Sequence, residues 1–148
     1  MTCAVITILA AVTAHGQAKT LESHVFTASS GISIPYRISL PAGDVKDRPL
    51  LLFLHGAGER GSDNEAQLKH GGELLLGATE LEYVIVLAPQ CPQEGWWVET
   101  DHPTSLEDRA ERTFPLNPLL TYPLRAVKEL IDSLVSSGAA DPHRLYCT

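Results

Sequence analysis

Leu50-Leu51-Leu52-Phe53-Leu54 is an unbroken apolar run of strand length, and it stops abruptly at His55-Gly56. A strand with one wet face alternates apolar and polar side chains. A run without alternation fits a strand covered on both faces, as at the centre of a parallel sheet. Tyr83-Val84-Ile85-Val86-Leu87-Ala88 is a second run of the same kind, closed by Pro89. Two neighbouring parallel strands need a long crossover between them, usually helical. These two runs therefore narrow the choices to a layered α/β domain before any other residue is considered.

The remaining segments supply the parts such a domain needs. Residues 64–78 predict the crossover, broken or shortened at Gly71-Gly72 and ending in Leu74-Leu75-Leu76. A second helix follows Thr121, whose hydroxyl can cap it, with Pro123 in its first turn. Leu124, Val127, Ile131, Leu134 and Val135 recur on one face of that helix, and Gly138 ends it. Asp141-Pro142 reads as a turn, and Leu145-Tyr146-Cys147 as the start of a third buried strand. Upstream, residues 24–28 and 32–40 flank the turn Ser29-Ser30-Gly31 and predict an antiparallel hairpin. Ile32, Ile34, Tyr36, Ile38 and Leu40 alternate, while Pro35 places that strand at an edge. The expected architecture is a three-layer α/β fold over residues 19–148, its sheet mostly parallel with an N-terminal antiparallel hairpin.

Residues 1–18 contain no Asp, Glu, Lys or Arg and run apolar from Cys3 to Ala14 before Gly16-Gln17-Ala18. A short apolar core before small residues is the pattern of a secretory signal peptide, cleaved here after Ala18. The expectation is a secreted or periplasmic protein, or a cytoplasmic one if the segment is instead a buried first strand. The run is too short to span a bilayer. The net charge of −7 makes nucleic acid an unfavourable partner, because phosphates repel an acidic chain. Of Cys3, Cys91 and Cys147, the last two would remain after cleavage. Cys147 on a buried strand and Cys91 beyond another strand's end are read as unpaired thiols. No spacing of Cys and His suggests a metal site.

Ligands of open α/β sheets collect at the carboxyl ends of the strands. Three features stand at such ends: His55-Gly56-Ala57-Gly58, Ala88-Pro89-Gln90-Cys91-Pro92 and Trp96-Trp97. Small residues after a buried strand let backbone N–H groups approach a substrate oxygen. Each N–H donor aimed at a developing oxyanion lowers a barrier by about 3 kcal/mol. The proline-flanked segment is a rigid exit turn. Adjacent tryptophans cannot both face inward, so one belongs to the core and the other is a candidate pocket wall. Glu59, Arg60 and Asp63 read as a solvated or mutually paired loop brace, and the polar segment from Asp101 to Arg112 as a surface insertion over the site.

These motifs carry a resemblance. From about Tyr36 onward the chain resembles the N-terminal half of an α/β-hydrolase, and within that superfamily it is similar to predicted peptidases and carboxylesterases related to dienelactone hydrolase and poly-hydroxyalkanoate depolymerase. Residues 52–61, 88–92 with Trp96-Trp97, and 141–148 carry it, in the family's order. The resemblance implies an oxyanion hole using a backbone N–H of Ala57 or Gly58, with His55 and Gly56 setting the loop geometry. It also implies that the third buried strand leads into a Gly-x-Ser-x-Gly nucleophile elbow. That motif occurs nowhere in the sequence.

The functional expectation is accordingly a part of an exported serine hydrolase, truncated after the strand that precedes the nucleophile. It would carry the oxyanion loop but not the nucleophile, acid or base, and be inactive alone. The substrate would be a small-molecule or peptide ester or amide, without metal or organic cofactor. The alternative is a non-catalytic binding module or decayed remnant of the same ancestry. Missing neighbours would leave the Leu145-Tyr146 strand as an exposed apolar edge, an aggregation liability.

Overall fold

The computed structural model describes residues 19–99 and 118–148. The leader at 1–18 and the insertion expected at 101–112 lie outside the described residues. The apolar runs become strands of one five-stranded sheet. In chain order these are β1 (Glu22–Thr27), β2 (Ser33–Ser39), β3 (Arg48–Leu52), β4 (Ile85–Pro89) and β5 (Ala140–Cys147). Two α-helices accompany them, α1 (Gly72–Gly77) and α2 (Tyr122–Ser136). The spatial order is β1-β2-β4-β3-β5. β3 pairs in parallel with both β4 and β5, while β2 pairs antiparallel with β1 and β4.

Topology follows from handedness. The chain steps from β3 to β4 in one direction across the sheet, then from β4 back past β3 to β5. Right-handed crossovers in opposite directions put their helices on opposite faces. On one face α2 lays Ala126, Val127, Leu130 and Leu134 against Ile34, Ile38, Leu50, Leu52, Ile85 and Leu87. On the other, Val86 packs with Leu21 and Leu75, flanked by Leu51, Phe53, Leu68 and Leu81. Odd and even positions of β4 thus serve separate cores, and every residue from Ile85 to Pro89 is buried. This is the three-layer arrangement the unbroken runs imply.

Four sequence expectations change in detail. β2 is an interior strand, and β1 is the edge. Pro35 is tolerated because its carbonyl faces the chain just past the end of β4, where it accepts a hydrogen bond from the Gln90 N–H at 2.8 Å. The missing N–H of Pro35 therefore faces no ladder partner. Asp141-Pro142 lies inside β5 rather than before it. Between Arg48 and Leu50 of β3, β5 advances from Ala140 to Leu145, so a bulge absorbs the extra residues. The turn chemistry persists there, with Asp141 Oδ1 accepting from the His143 N–H at 2.8 Å.

The other two changes concern burial. Cys147 is exposed, as are Leu145 and Tyr146 beside it, so β5 is not covered on both faces but is the exposed apolar edge expected of this strand where it lacks a neighbour. The buried face of α2 includes Ala126 and Leu130, whereas Leu124, Ile131 and Val135 are half-buried.

Helix limits follow local chemistry. Thr121 accepts from the Leu124 N–H at 3.5 Å at the start of α2, and Pro123 occupies the first turn. At its end Gly138 takes φ +78°, with Gly138 N–H on Val135 O and Ala139 N–H on Leu134 O. That pair of bonds is a Schellman cap, which requires the left-handed residue. The first crossover is broken as expected, into a 3-10 turn (Ala66–Leu68), α1, and a second 3-10 turn (Thr79–Leu81). Gly71 marks the break because the Phe53 ring lies against it: a Cβ there would meet Phe53 Cζ at 2.5 Å. Among the described residues no helix is long and apolar enough to cross a membrane.

Gly71→Ala is expected to destabilise the protein by about 1–3 kcal/mol, the usual cost of overpacking a filled site. Gly77→Ala, where a Cβ meets nothing within 4 Å, is the control. Denaturant midpoints for the two variants check this; equal midpoints would contradict the close approach of Phe53.

Candidate functional site

The parallel strands β3 and β4 end on the same side, and the loops that follow them, residues 55–64 and 90–98, meet there. The His55 side chain is one of several that join them. The His55 ring is buried, with Nδ1 2.6 Å from Gly56 O and Nε2 2.9 Å from the Cys91 N. A backbone N–H can only donate, so Nε2 must be unprotonated and the ring proton sits on Nδ1. Burial lowers the His55 pKa below the ordinary histidine value; the Gly56 carbonyl and Glu59 act against this, and Arg60 reinforces it. Trp97 packs its ring edge-on to His55 and donates from Nε1 to His55 O at 3.1 Å.

The same bonds orient the loop. A peptide unit is planar and trans, so its C=O and N–H point in opposite directions. His55 Nδ1–H holds Gly56 O, and hence the direction of the Ala57 N–H. Arg60 Nε–H holds Ala57 O at 2.9 Å, and hence the direction of the Gly58 N–H. Two side chains thus fix the two successive peptide planes. Gly56, Ala57 and Gly58 are all exposed, in and just before a single 3-10 turn (Ala57–Glu59). Among the described residues neither the Ala57 nor the Gly58 N–H has a hydrogen-bond acceptor.

Behind this turn lies a buried polar network. Gln90, fully buried, accepts from the Asn64 N–H at 2.7 Å and donates to Glu59 O at 3.1 Å and to Asp63 Oδ1 at 3.0 Å. Asn64 adopts φ +57° and donates from Nδ2 to Ser23 Oγ, His24 O and Tyr36 O. Gln67 Nε2 donates to Asn64 Oδ1 at 2.6 Å. Gly61 N–H donates to Cys91 O at 2.9 Å, giving the two loops a second direct tie.

The charged residues act as braces. Glu59 lies 3.3 Å from His70 Nε2. Asp63 accepts from the Ala66 and Glu65 N–H groups, which hold its carboxyl below the usual carboxylate range, with Gln90 assisting. Arg60 donates from Nη1 to Gly95 O at 3.2 Å and lies 3.8 Å over the Trp96 ring.

His55, Gly56, Ala57, Trp96 and Trp97 are therefore brought together, with Gly58 adjoining on the same turn. Gly56, Ala57, Arg60, Cys91, Trp96 and Trp97 surround a pocket of about 170 Å³. Trp97 and Val98 also wall an adjacent apolar pocket of about 170 Å³, with Leu119, Leu120 and Leu124. Trp97 packs on the core while Trp96 stands under Arg60, and both reach the pocket. The Cys91 thiol is pushed up to about 11 by burial, against the opposing effect of Arg60. Both Cys91 and Cys147 are free.

Gln90 is legible in the sequence only as part of a rigid exit turn, and Asn64 and Gln67 have no legible role there. A glutamine wedged between Pro89 and Cys91-Pro92 at a strand's end was the available signal. Both His55 nitrogens are engaged by backbone, and among the described residues no serine hydroxyl bonds a histidine. Among the described residues no cluster of three His, Cys, Asp or Glu could hold a metal ion.

Solved structures similar to this chain include an esterase and a hydrolase. The chain is similar to a thermostable esterase at 33% identity and a TM-score of 0.66, over 86% of this chain and 33% of that one. It is similar in fold to an S-formylglutathione hydrolase from Agrobacterium tumefaciens at 14% identity and a TM-score of 0.53, over 88% of this chain and 48% of that one. The chain thus spans a third to a half of the length of these proteins. No family model and no curated protein matches it. The fold is of the α/β-hydrolase type.

The His55 bonds make a titration prediction. A folded pKa below the unfolded value of about 6.5 means that stability is present above that pH and is lost as pH falls through the folded pKa. Nitrogen-15 NMR of the ring should show His55 titrating below the ordinary histidine value, with the proton of its neutral form on Nδ1. A His55 that titrates at or above about 6.5 would contradict the Cys91 N–H bond.

Proposed function

We propose that this chain is the N-terminal part of an exported serine hydrolase of the carboxylesterase or peptidase type, and that the Ala57 and Gly58 N–H groups form its oxyanion hole. The observation that carries the reading is the pair of clamped peptide planes. Two adjacent N–H groups, exposed at the end of a buried strand, are held in fixed directions by His55 and Arg60 before any ligand arrives. Donors oriented in advance lower a barrier because they need no reorganisation when negative charge develops. The esterase relatives in fold support the same reading. Within the superfamily the proposed kinship is with dienelactone hydrolase and poly-hydroxyalkanoate depolymerase.

The mechanism is acyl transfer to a serine. A serine oxygen attacks the ester or amide carbonyl, a histidine takes its proton and returns it to the leaving group, and the carbonyl oxygen becomes an oxyanion. This chain's share is to bind that oxygen at Ala57 and Gly58. The nucleophile, base and acid belong to residues outside this sequence. His55 is a positioning residue, since its Nε2 lone pair is engaged by Cys91 N–H. The leader at 1–18 is proposed to direct export, and the substrate to be a small-molecule or peptide ester or amide.

The second reading is a binding module of the same ancestry, favoured by a formed pocket in a chain without a Gly-x-Ser-x-Gly elbow. Activity separates the two. Ala57→Pro deletes one proposed donor with little strain, because Gly56 already has the extended backbone (φ −76°, ψ 178°) that a following proline requires. In the protein that carries the nucleophile, Ala57→Pro should lower kcat by about 10²–10³-fold and leave KM within about twofold. An unchanged kcat would sink the oxyanion assignment. The 148-residue chain alone should hydrolyse a short-chain aryl ester no faster than buffer; measurable turnover would overturn the assignment of the nucleophile to another segment.

A further inference from the structure

The pocket beside Ala57 has a definite size, wall and charge. Its volume is about 170 Å³. A protein cavity of about 150 Å³ admits benzene, so a six-membered ring fits. Trp96 and Trp97 supply aromatic walls, which suit a flat ring in offset or edge-to-face contact.

Arg60 is the charged residue in the pocket wall. It donates from Nε and Nη1 to the neutral carbonyls of Ala57 and Gly95, and no carboxylate pairs with it among the described residues. Glu59, next in sequence, is turned to His70. Cys91 remains a neutral thiol at neutral pH and offers no competing anion. A guanidinium held by two carbonyls and one indole face keeps its positive charge uncompensated, in a half-buried setting where charge acts more strongly than in bulk water. Its planar fork also suits a carboxylate.

We propose that this pocket is a binding site for an aryl group bearing a carboxylate, with the ring against Trp96 and Trp97 and the carboxylate on Arg60. The inference deepens the hydrolase reading and rests on it for one consequence: the substrate is an ester or amide carrying an anionic, ring-sized group next to the scissile carbonyl. The binding itself does not depend on that reading.

The test uses the chain's own reporters. Its two tryptophans, Trp96 and Trp97, both line this pocket, so intrinsic fluorescence reports on it; Trp97 also borders the adjacent apolar pocket, and the Arg60 variants tell the two apart. Benzoate, benzyl alcohol and benzylammonium present nearly the same ring with charges of −1, 0 and +1. Titration at neutral pH should give saturable quenching by benzoate, at least about tenfold weaker binding of benzyl alcohol and none of benzylammonium. Arg60→Gln should weaken benzoate about tenfold or more and leave benzyl alcohol within about twofold, while Arg60→Lys should retain part of the benzoate affinity.

Equal binding of the three probes, or no binding of benzoate to folded wild-type chain, overturns the proposal. If Arg60→Gln fails to fold, the three-probe series on the wild type decides by itself. Failure here with the expected kcat loss in Ala57→Pro removes only the substrate class. Benzoate binding with no kcat loss in Ala57→Pro removes the oxyanion assignment and leaves the pocket.

Discussion

The arrangement of the site depends on one imidazole lying between the ends of two strands. β3 and β4 are fixed side by side by their parallel ladder, but a ladder controls nothing beyond its last bond. The last such bonds are made by the N–H groups of Phe53, Leu54 and Gln90, and past them the two chain segments depend on other ties. His55 is such a tie, taking the Cys91 N–H at Nε2 and giving its Nδ1 proton to Gly56 O. The Cys91 bond needs the neutral ring, whereas the Gly56 bond fixes the proton on Nδ1 and survives in either charge state. The burial that makes the bonds short also disfavours the charged ring, so geometry and protonation state reinforce each other. With the Gly56 carbonyl held, the Ala57 N–H has one direction, and the clamp by Arg60 extends the same control to Gly58.

Behind the loop, amide side chains do what a sheet would do elsewhere. A ten-residue excursion carries many backbone groups that need partners. Gln90 accepts from one backbone N–H and donates to one carbonyl. Asn64 uses three acceptors on β1 and β2 and takes a donor from Gln67. Asn64 also tolerates the left-handed backbone that reverses the chain there. Gln67 Oε1 has no partner, so the network is satisfied at every amide but that one. Removing a member would strand buried polar groups, which costs more than the bond itself is worth.

How much of this could be read from the sequence follows from which interactions are periodic. The runs at 50–54 and 83–88 announced β3 and β4 because a strand between two cores cannot alternate, and Val86 indeed faces one core while Ile85 and Leu87 face the other. The Thr121 and Gly138 signals bounded α2 because caps are local chemistry. Pro35 misled, because a proline is excluded only where its nitrogen faces a ladder partner, and how far β4 reaches along β2 is a tertiary fact. Cys147 and Leu145 read as buried from their apolar character, but burial depends on what lies beside β5. The roles of Gln90, Asn64 and Gln67 had no pattern to betray them: their partners are 3 to 41 residues away, and nothing in spacing links them.

Charge at the pocket runs against charge of the whole. The chain carries −7 overall, and among the described residues Arg60 is the cation in the pocket wall. At physiological ionic strength fields between exposed charges fade within about 8 Å. The acidic surface therefore opposes an approaching anion only near contact, and added salt weakens that repulsion first. The Arg60 contact, half-buried against Trp96, is screened less. An anionic ligand would then arrive slowly but hold by a short-range, directional bond, so its affinity should depend on salt far less than a surface ion pair would. That combination separates a built anion site from general electrostatic attraction, which this acidic chain cannot supply.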